Sequence, residues 1–81
     1  MVVTVELPVI SGFFGGHVSR VLVAVGDTVR VDTPLLELEN ENCVVEYPSH
    51  IAGRVAEMLV SAGDRVDWGT PLLVIDAPDQ S

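Results

Sequence analysis

Short apolar segments alternate with turn residues along this chain, and the pattern predicts β-strands. In the segment 35–39, Leu36 and Leu38 fall on one face of an extended strand, and the glutamates between them fall on the other. Leu73 and Ile75 take the same inward positions in the segment 72–76. Valine, whose branched β-carbon favours strands, is abundant, and glycine and proline divide the chain into short pieces. We therefore predict an all-β fold.

The pattern occurs twice. A shift of 37 positions brings eleven identical residues into register, which is strong evidence of a duplicated unit. The matching pairs are Gly16 and Gly53, Val18 and Val55, Leu22-Val23 and Leu59-Val60, Gly26-Asp27 and Gly63-Asp64, Val29 and Val66, and Thr33-Pro34-Leu35-Leu36 and Thr70-Pro71-Leu72-Leu73.

Each unit predicts a small set of elements. We expect strands at 18–24 and 55–61, turns at the two Gly-Asp pairs, brief strands at 29–31 and 66–68, and closing strands at 35–39 and 72–76. One unit has an apolar face that it cannot cover alone. We therefore predict a flattened β-barrel or sandwich, in which two antiparallel sheets are related by a quasi-twofold axis.

A polar segment, 40–43, joins the two units and is the predicted tip of a hairpin. Substitution of Asn40 or Asn42 there should cost under about 1 kcal/mol, because an exposed turn has little burial to lose. We expect one domain over residues 1–77, and residues 78–81 have the composition of a linker or tail.

Charge and cysteine content narrow the possible partners. Twelve acidic and four basic residues give a net charge of −8, which disfavours nucleic acid and anionic membranes as partners. No apolar run approaches the roughly 18 residues of a membrane span. The single cysteine, Cys43, excludes an internal disulfide and fits a reducing compartment, so we expect a cytoplasmic protein. All four basic residues are arginines, so the chain has no lysine.

The sequence resembles the lipoyl/biotinyl-attachment domains, and most closely the lipoyl domains of 2-oxo acid dehydrogenase complexes. The stretches that carry the resemblance are Pro8 with the loop at 11–13, and the segments 21–29, 34–39, 45–49 and 51–55. At the tip, the family's order of acid, small polar residue, acid and modified lysine corresponds to Glu39-Asn40-Glu41-Asn42. Biotinyl domains have methionines beside that lysine, and neither methionine of this chain is at the tip. The resemblance implies a barrel-sandwich hybrid.

The resemblance also implies a carrier role that this chain does not fulfil. In the family, the lysine bears lipoate in amide linkage, and the arm exchanges acyl groups among a decarboxylase, an acyltransferase and a flavoprotein. Here Asn42, flanked by Glu41 and Cys43, stands at the lysine position, and an amide nitrogen is not nucleophilic. We predict that the chain carries neither lipoate nor biotin by this linkage. A simpler interpretation makes Asn42 a turn residue. Loss of the carrier role and laboratory replacement of a lysine both stay open as origins of Asn42.

Other residues offer less chemistry. We interpret Cys43 as a small hydrophobic residue and keep a thiol-based carrier as a minor alternative. His17 and His50 are not repeat partners and have no second cysteine near them, so we expect no metal site. The glutamates of the tip region form either an acidic docking face or solvated strand surfaces; they are Glu37, Glu39, Glu41 and Glu46.

We find no arrangement of nucleophile and base, and we predict a non-enzymatic module that is either structural, used in recognition, or an unmodified variant of a carrier. The alternative is a cofactor-free module of the adaptor or transport proteins that share this fold. Those proteins usually place a helical hairpin between the half-motifs, where this chain has four residues.

Overall fold

The structure, a computed structural model, describes residues 1–78 and consists of eight strands without a helix in that range. The strands are β1 (Val2–Glu6), β2 (Gly16–Val21), β3 (Thr28–Val29), β4 (Pro34–Glu39), β5 (Val44–Pro48), β6 (Gly53–Met58), β7 (Arg65–Val66) and β8 (Pro71–Asp76). They form two four-stranded sheets, ordered β1-β8-β6-β3 and β5-β4-β2-β7, with antiparallel neighbours. The predicted all-β fold of two antiparallel sheets is confirmed. No helix that could cross a membrane occurs in residues 1–78.

The duplicated unit is visible in the strand bounds. β2, β3 and β4 become β6, β7 and β8 when 37 is added to every residue number. The two units do not simply face each other, because each unit's shortest strand lies in the other unit's sheet. β3 pairs with β6, and β7 pairs with β2. The units therefore interlock, and each sheet needs both halves of the chain.

The Gly-Asp turns stabilise this exchange of short strands between the two units. Gly26 and Gly63 have φ angles of 96° and 95°, which an L side chain would disfavour. Each turn forms a pair of backbone hydrogen bonds with a valine of the opposite unit. Gly26 donates to the Val55 carbonyl (2.8 Å) and the Val55 N–H donates to Asp27 (2.9 Å). The symmetric pair joins Gly63 and Asp64 to Val18, at 2.7 and 2.8 Å.

The core lies between the two sheets and contains the predicted inward residues. Leu36, Leu38, Leu73 and Ile75 are all fully buried. Leu35 and its repeat partner Leu72 are also fully buried, which strict alternation did not predict. In β4, the register is irregular between Pro34 and Leu36. This irregularity allows the neighbouring residues Leu35 and Leu36 both to be buried.

Several predicted boundaries were wrong by a few residues. The strands expected at 18–24 and 55–61 begin two residues earlier and end at Val21 and Met58. The brief strands expected at 29–31 and 66–68 lie one residue earlier and contain two residues each. Of the predicted linker 78–81, residues 79–81 lie outside the described part, so the domain boundary at 77 stays a prediction.

One loop breaks the internal symmetry. Nine residues, 7–15, connect β1 to β2, whereas four, 49–52, connect β5 to β6. The longer loop makes a tight turn in which Phe13 donates its N–H to the Ile10 carbonyl (3.0 Å). The Phe13 side chain is fully buried and fixes the loop to the core. This loop, called the long loop below, runs beside the hairpin tip.

Candidate functional site: the hairpin tip and its cleft

Asn40 closes the tip between β4 and β5. Its N–H donates to the Cys43 carbonyl at 3.0 Å. Its Oδ1 accepts two backbone hydrogen bonds, from Asn42 N–H and Cys43 N–H, each at 2.9 Å. Such a side chain replaces a backbone acceptor in a tight turn, so Asn40 sets the geometry of the tip.

Asn40 and Cys43 also connect the tip to the long loop. The Asn40 amide donates to the Gly15 carbonyl at 3.2 Å. The half-buried Cys43 packs against the core, and its thiol lies 3.8 Å from the Gly12 carbonyl oxygen. The interpretation of Cys43 as a small hydrophobic residue is consistent with this packing. The expected cost of under about 1 kcal/mol for substituting Asn40 assumed an exposed turn with little to lose. The structure shows instead that the Asn40 side chain forms hydrogen bonds with the backbone of Gly15, Asn42 and Cys43, and the cost itself stays a prediction.

The Asn42 side chain makes none of these contacts with the turn or the long loop. Asn42 is exposed, and its side chain makes no hydrogen bond with any residue of the described range 1–78. Its φ is not positive, since Asp32 is the one non-glycine residue with positive φ in residues 1–78. The turn therefore does not require asparagine at position 42, and the turn interpretation applies to Asn40 instead. That position 42 is the attachment-equivalent site stays a prediction.

Glutamates surround the tip on the outward face of β4 and β5. Glu37 lies opposite Glu46 in the β4–β5 ladder, and its carboxylate accepts a hydrogen bond from Ser19 Oγ at 2.8 Å. Glu39 lies opposite His17 of β2, which in turn lies opposite Arg65 of β7. Directly opposed residues project from the same side of a sheet, so these three side chains form a row across it.

A cleft of about 450 Å³ lies between the tip and the long loop. Asn40 and Glu41 line it on the tip side, and Phe14 lines it on the loop side. Two glycines form part of its wall, and ionisable side chains from β2, from β7 and from the residue after β7 complete the lining. The remaining lining residues are Gly15, Gly16, His17, Arg65 and Asp67. This cleft was not predicted from the sequence. The loop 7–15, which is longer than the corresponding loop 49–52, is the feature that could have indicated it.

A second cleft, of about 570 Å³, is the symmetry partner of the first. Its residues Ala52, Gly53, Arg54 and Ala77 correspond to Gly15, Gly16, His17 and Asn40 through the shift of 37. It does not contain the tip. The duplication has thus produced two related clefts with different side chains.

The two histidines lie in different surroundings. His17 lines the cleft at the tip, whereas the His50 ring contacts Tyr47 edge-on, with ring centroids 5.7 Å apart. Burial raises the pKa of the Tyr47 hydroxyl above its ordinary value. Residues 1–78 contain no group of three His, Cys, Asp or Glu side chains arranged to hold a metal ion.

Comparison with known proteins gives a family and a fold. The model of the family Biotin_lipoyl, described as "Biotin-requiring enzyme", matches residues 3–75. A search of curated proteins finds no match. Among solved structures, the Kluyveromyces lactis urea carboxylase is similar with a TM-score of 0.79 and 21% identity, over 94% of this chain and 6% of that chain. A single-chain, multi-domain long-chain acyl-CoA carboxylase has a TM-score of 0.80 and 22% identity, over 99% of this chain and 7% of its own. The chain thus corresponds to a small part of each of these proteins.

Proposed function

The chain belongs to the Biotin_lipoyl family, and we propose that it serves there as a non-catalytic structural or recognition module, not as a loaded carrier. Asn42 carries this proposal. Its side chain is exposed, makes no hydrogen bond within the described residues 1–78, and lies at a tip whose geometry Asn40 maintains. On this proposal the tip corresponds to the family's attachment turn, while Asn42 offers no primary amine for attachment.

The residues present do not fit a covalent cofactor. Attachment of lipoate or biotin in this family acylates the primary amine of a lysine side chain. The nitrogen lone pair of the Asn42 carboxamide is delocalised into its carbonyl, and all four basic residues of the chain are arginines. We infer that neither cofactor is attached to this chain through the family's linkage.

The order of residues at the tip supports the lipoyl branch of the family. Glu39 and Glu41 keep the lipoyl spacing of two acids before the attachment position, and no methionine flanks Asn42. On this proposal the partners are the decarboxylase, acyltransferase or flavoprotein components of a 2-oxo acid dehydrogenase complex. A carboxylase is the second candidate setting, because both similar solved structures described above are carboxylases.

Restoring the lysine tests the proposal and separates the two branches. The variant Asn42→Lys is incubated with ATP and either lipoate ligase and lipoate or biotin ligase and biotin, and its intact mass is measured. The expected result is one lipoyl group on Asn42→Lys and no modification of the original chain. The control Ala56→Lys places a lysine on an exposed position of β6 and should stay unmodified.

Each other outcome has a definite meaning. Biotinylation of Asn42→Lys in place of lipoylation would move the chain to the biotinyl branch. A folded Asn42→Lys that neither ligase modifies would contradict the attachment-site assignment and favour the cofactor-free adaptor or transport module. Modification of the original chain would refute the proposal.

A further inference from the structure

Two aromatic side chains are exposed beside the tip. Phe14 of the long loop is 76% exposed and Trp68 is 43% exposed. Their ring centroids lie 5.8 Å apart, with an angle of 48° between the ring planes. Trp68 Nε1–H donates to the Phe13 carbonyl at 2.8 Å. The indole donor is therefore used internally, and Trp68 offers solvent its π surface and not a hydrogen-bond donor.

Two carboxylates line the cleft together with Phe14, the ring that contacts Trp68. Asp67 precedes Trp68, and Glu41 lies across the cleft on the tip. Neither carboxylate forms a hydrogen bond or ion pair with another residue of the described range 1–78. Asp67 lies directly against Gly15, whose φ is 110°, and a Cβ at this glycine would collide with the Asp67 carboxylate. The backbone of the long loop thus leaves room for this acid.

The repeat partners of these residues have different side chains. Through the shift of 37, the repeat partners of Asp67 and Trp68 are Arg30 and Val31, and the partner of Phe14 is Ile51. The symmetry-related cleft is therefore lined by Arg30 where the tip cleft is lined by Asp67, and the sequence positions that correspond to the two aromatic rings hold aliphatic residues. The repeated unit does not require an acid at the position of Asp67, since the other half of the chain has Arg30 there.

We propose that Phe14, Trp68, Asp67 and Glu41 form a binding site for an arginine side chain of a partner protein. A guanidinium is planar, stacks on aromatic rings and forms paired hydrogen bonds with carboxylates, so it suits this combination better than an ammonium group. The net charge of −8 attracts a basic partner to the surface before contact. Arg65 also lines the cleft and opposes the binding. The inference is independent of the residue at position 42.

The single tryptophan of the chain makes the test direct, because all tryptophan emission reports on Trp68. An acetylated, amidated tri-arginine peptide is titrated into the chain at two salt concentrations, with the matching tri-citrulline peptide as a neutral control of the same shape. We expect a saturable change in Trp68 emission with tri-arginine and no change with tri-citrulline. A tri-lysine peptide should bind more weakly than tri-arginine.

Variants locate the site. Asp67→Asn and Glu41→Gln should each weaken tri-arginine binding by about three- to fivefold, the usual scale of one exposed charge or cation–π contact. Glu57→Gln removes one charge from β6, outside the cleft, and should change binding by less than twofold. Phe14→Ser should weaken binding, and Arg65→Ser should strengthen it. Circular dichroism melts establish that each variant is folded.

Two results would overturn the proposal. One is an equal response to tri-arginine and tri-citrulline. The other is an equal loss of binding in Asp67→Asn and Glu57→Gln, which would mean that net charge alone attracts the peptide. Neither result bears on ligase modification of Asn42→Lys, so this proposal and the proposed function fail separately.

Discussion

The two asparagines of the tip make different contacts, and this predicts how each tolerates substitution. Asn40→Ala removes three hydrogen bonds accepted by Oδ1, two from backbone N–H groups and one from the Cys43 thiol, and the one donated to the Gly15 carbonyl. We expect it to lower the free energy of unfolding by about 1–3 kcal/mol. Asn42→Ala removes no side-chain hydrogen bond within residues 1–78 and should stay within about 0.5 kcal/mol of the original chain. Urea unfolding followed by Trp68 fluorescence measures both. Equal losses would show that the tip is held by something other than Asn40.

Residue identity alone could not separate these two roles. Both asparagines are polar, both lie in the same short turn, and either could accept a backbone hydrogen bond. The difference depends on the Gly15 carbonyl, which lies 25 positions away from Asn40 in the chain. The same limit applies to Asp32, whose φ of 75° matches the 87° of its repeat partner Gly69. The repeat pairs Asp32 with Gly69, but an aspartate at this position did not reveal the left-handed backbone.

At the scale of elements, the glycines that begin β2 and β6 are members of the ladder, whereas the predicted strands began only at 18 and 55. A Cβ at Gly16 would collide with the Glu39 carbonyl, and one at Gly53 would collide with the Asp76 carbonyl. Glycine is therefore required by close approach of the neighbouring backbone, which a sequence pattern does not distinguish from a bend. This explains why the two strands begin earlier than predicted.

The Gly-Asp turns behaved as the sequence predicted, and their symmetry can be measured. Asp27 accepts a hydrogen bond from Ala24 N–H and Asp64 accepts one from Ser61 N–H, both at 2.8 Å. We expect Asp27→Ala and Asp64→Ala each to cost about 0.5–1.5 kcal/mol, the net value of one exposed hydrogen bond. Asp27→Asn and Asp64→Asn keep an acceptor and should cost less.

Urea melts of these four variants provide the comparison. The two alanine variants should agree within about 0.5 kcal/mol, because the turns share one geometry and one pattern of contacts with the opposite unit. A large cost at one turn and none at the other would mean that the two turns support the fold unequally, despite their identical hydrogen bonds.

At the scale of the whole molecule, the duplication predicted the symmetry but not the exchange of strands. The pattern of Leu36, Leu38, Leu73 and Ile75 shows that each unit has a face to bury, and it fits two separate faces as well as two interlocked units. Which arrangement forms depends on the pairing of β3 with β6 and of β7 with β2, strands of two residues each. Such short strands carry too little pattern to reveal their partners. The long loop was equally hidden, since Phe13 is buried and Phe14 beside it is exposed.

The interlocked sheets predict that the two halves unfold as one unit. Leu36→Ala and Leu73→Ala each remove a fully buried side chain from the shared core and should lower the free energy of unfolding by about 2–5 kcal/mol. A domain of this size has about 5 kcal/mol in total, at the lower end of the usual range, so either change should leave the chain marginal. Val31→Ala is the control, because Val31 is 58% exposed and its loss should cost under about 0.5 kcal/mol.

The shape of the transitions tests the interlocking itself. Because β3 and β7 tie each unit to the other's sheet, both leucine variants should unfold in a single transition, with the same midpoint by circular dichroism and by Trp68 fluorescence. Trp68 lies in the second unit, so independent units would behave differently. In that case, Leu36→Ala would lose part of its circular dichroism signal at low urea while Trp68 emission stayed unchanged until higher urea. Such separated transitions would show that the strand exchange contributes little to cooperativity, and that each unit is stable without its partner.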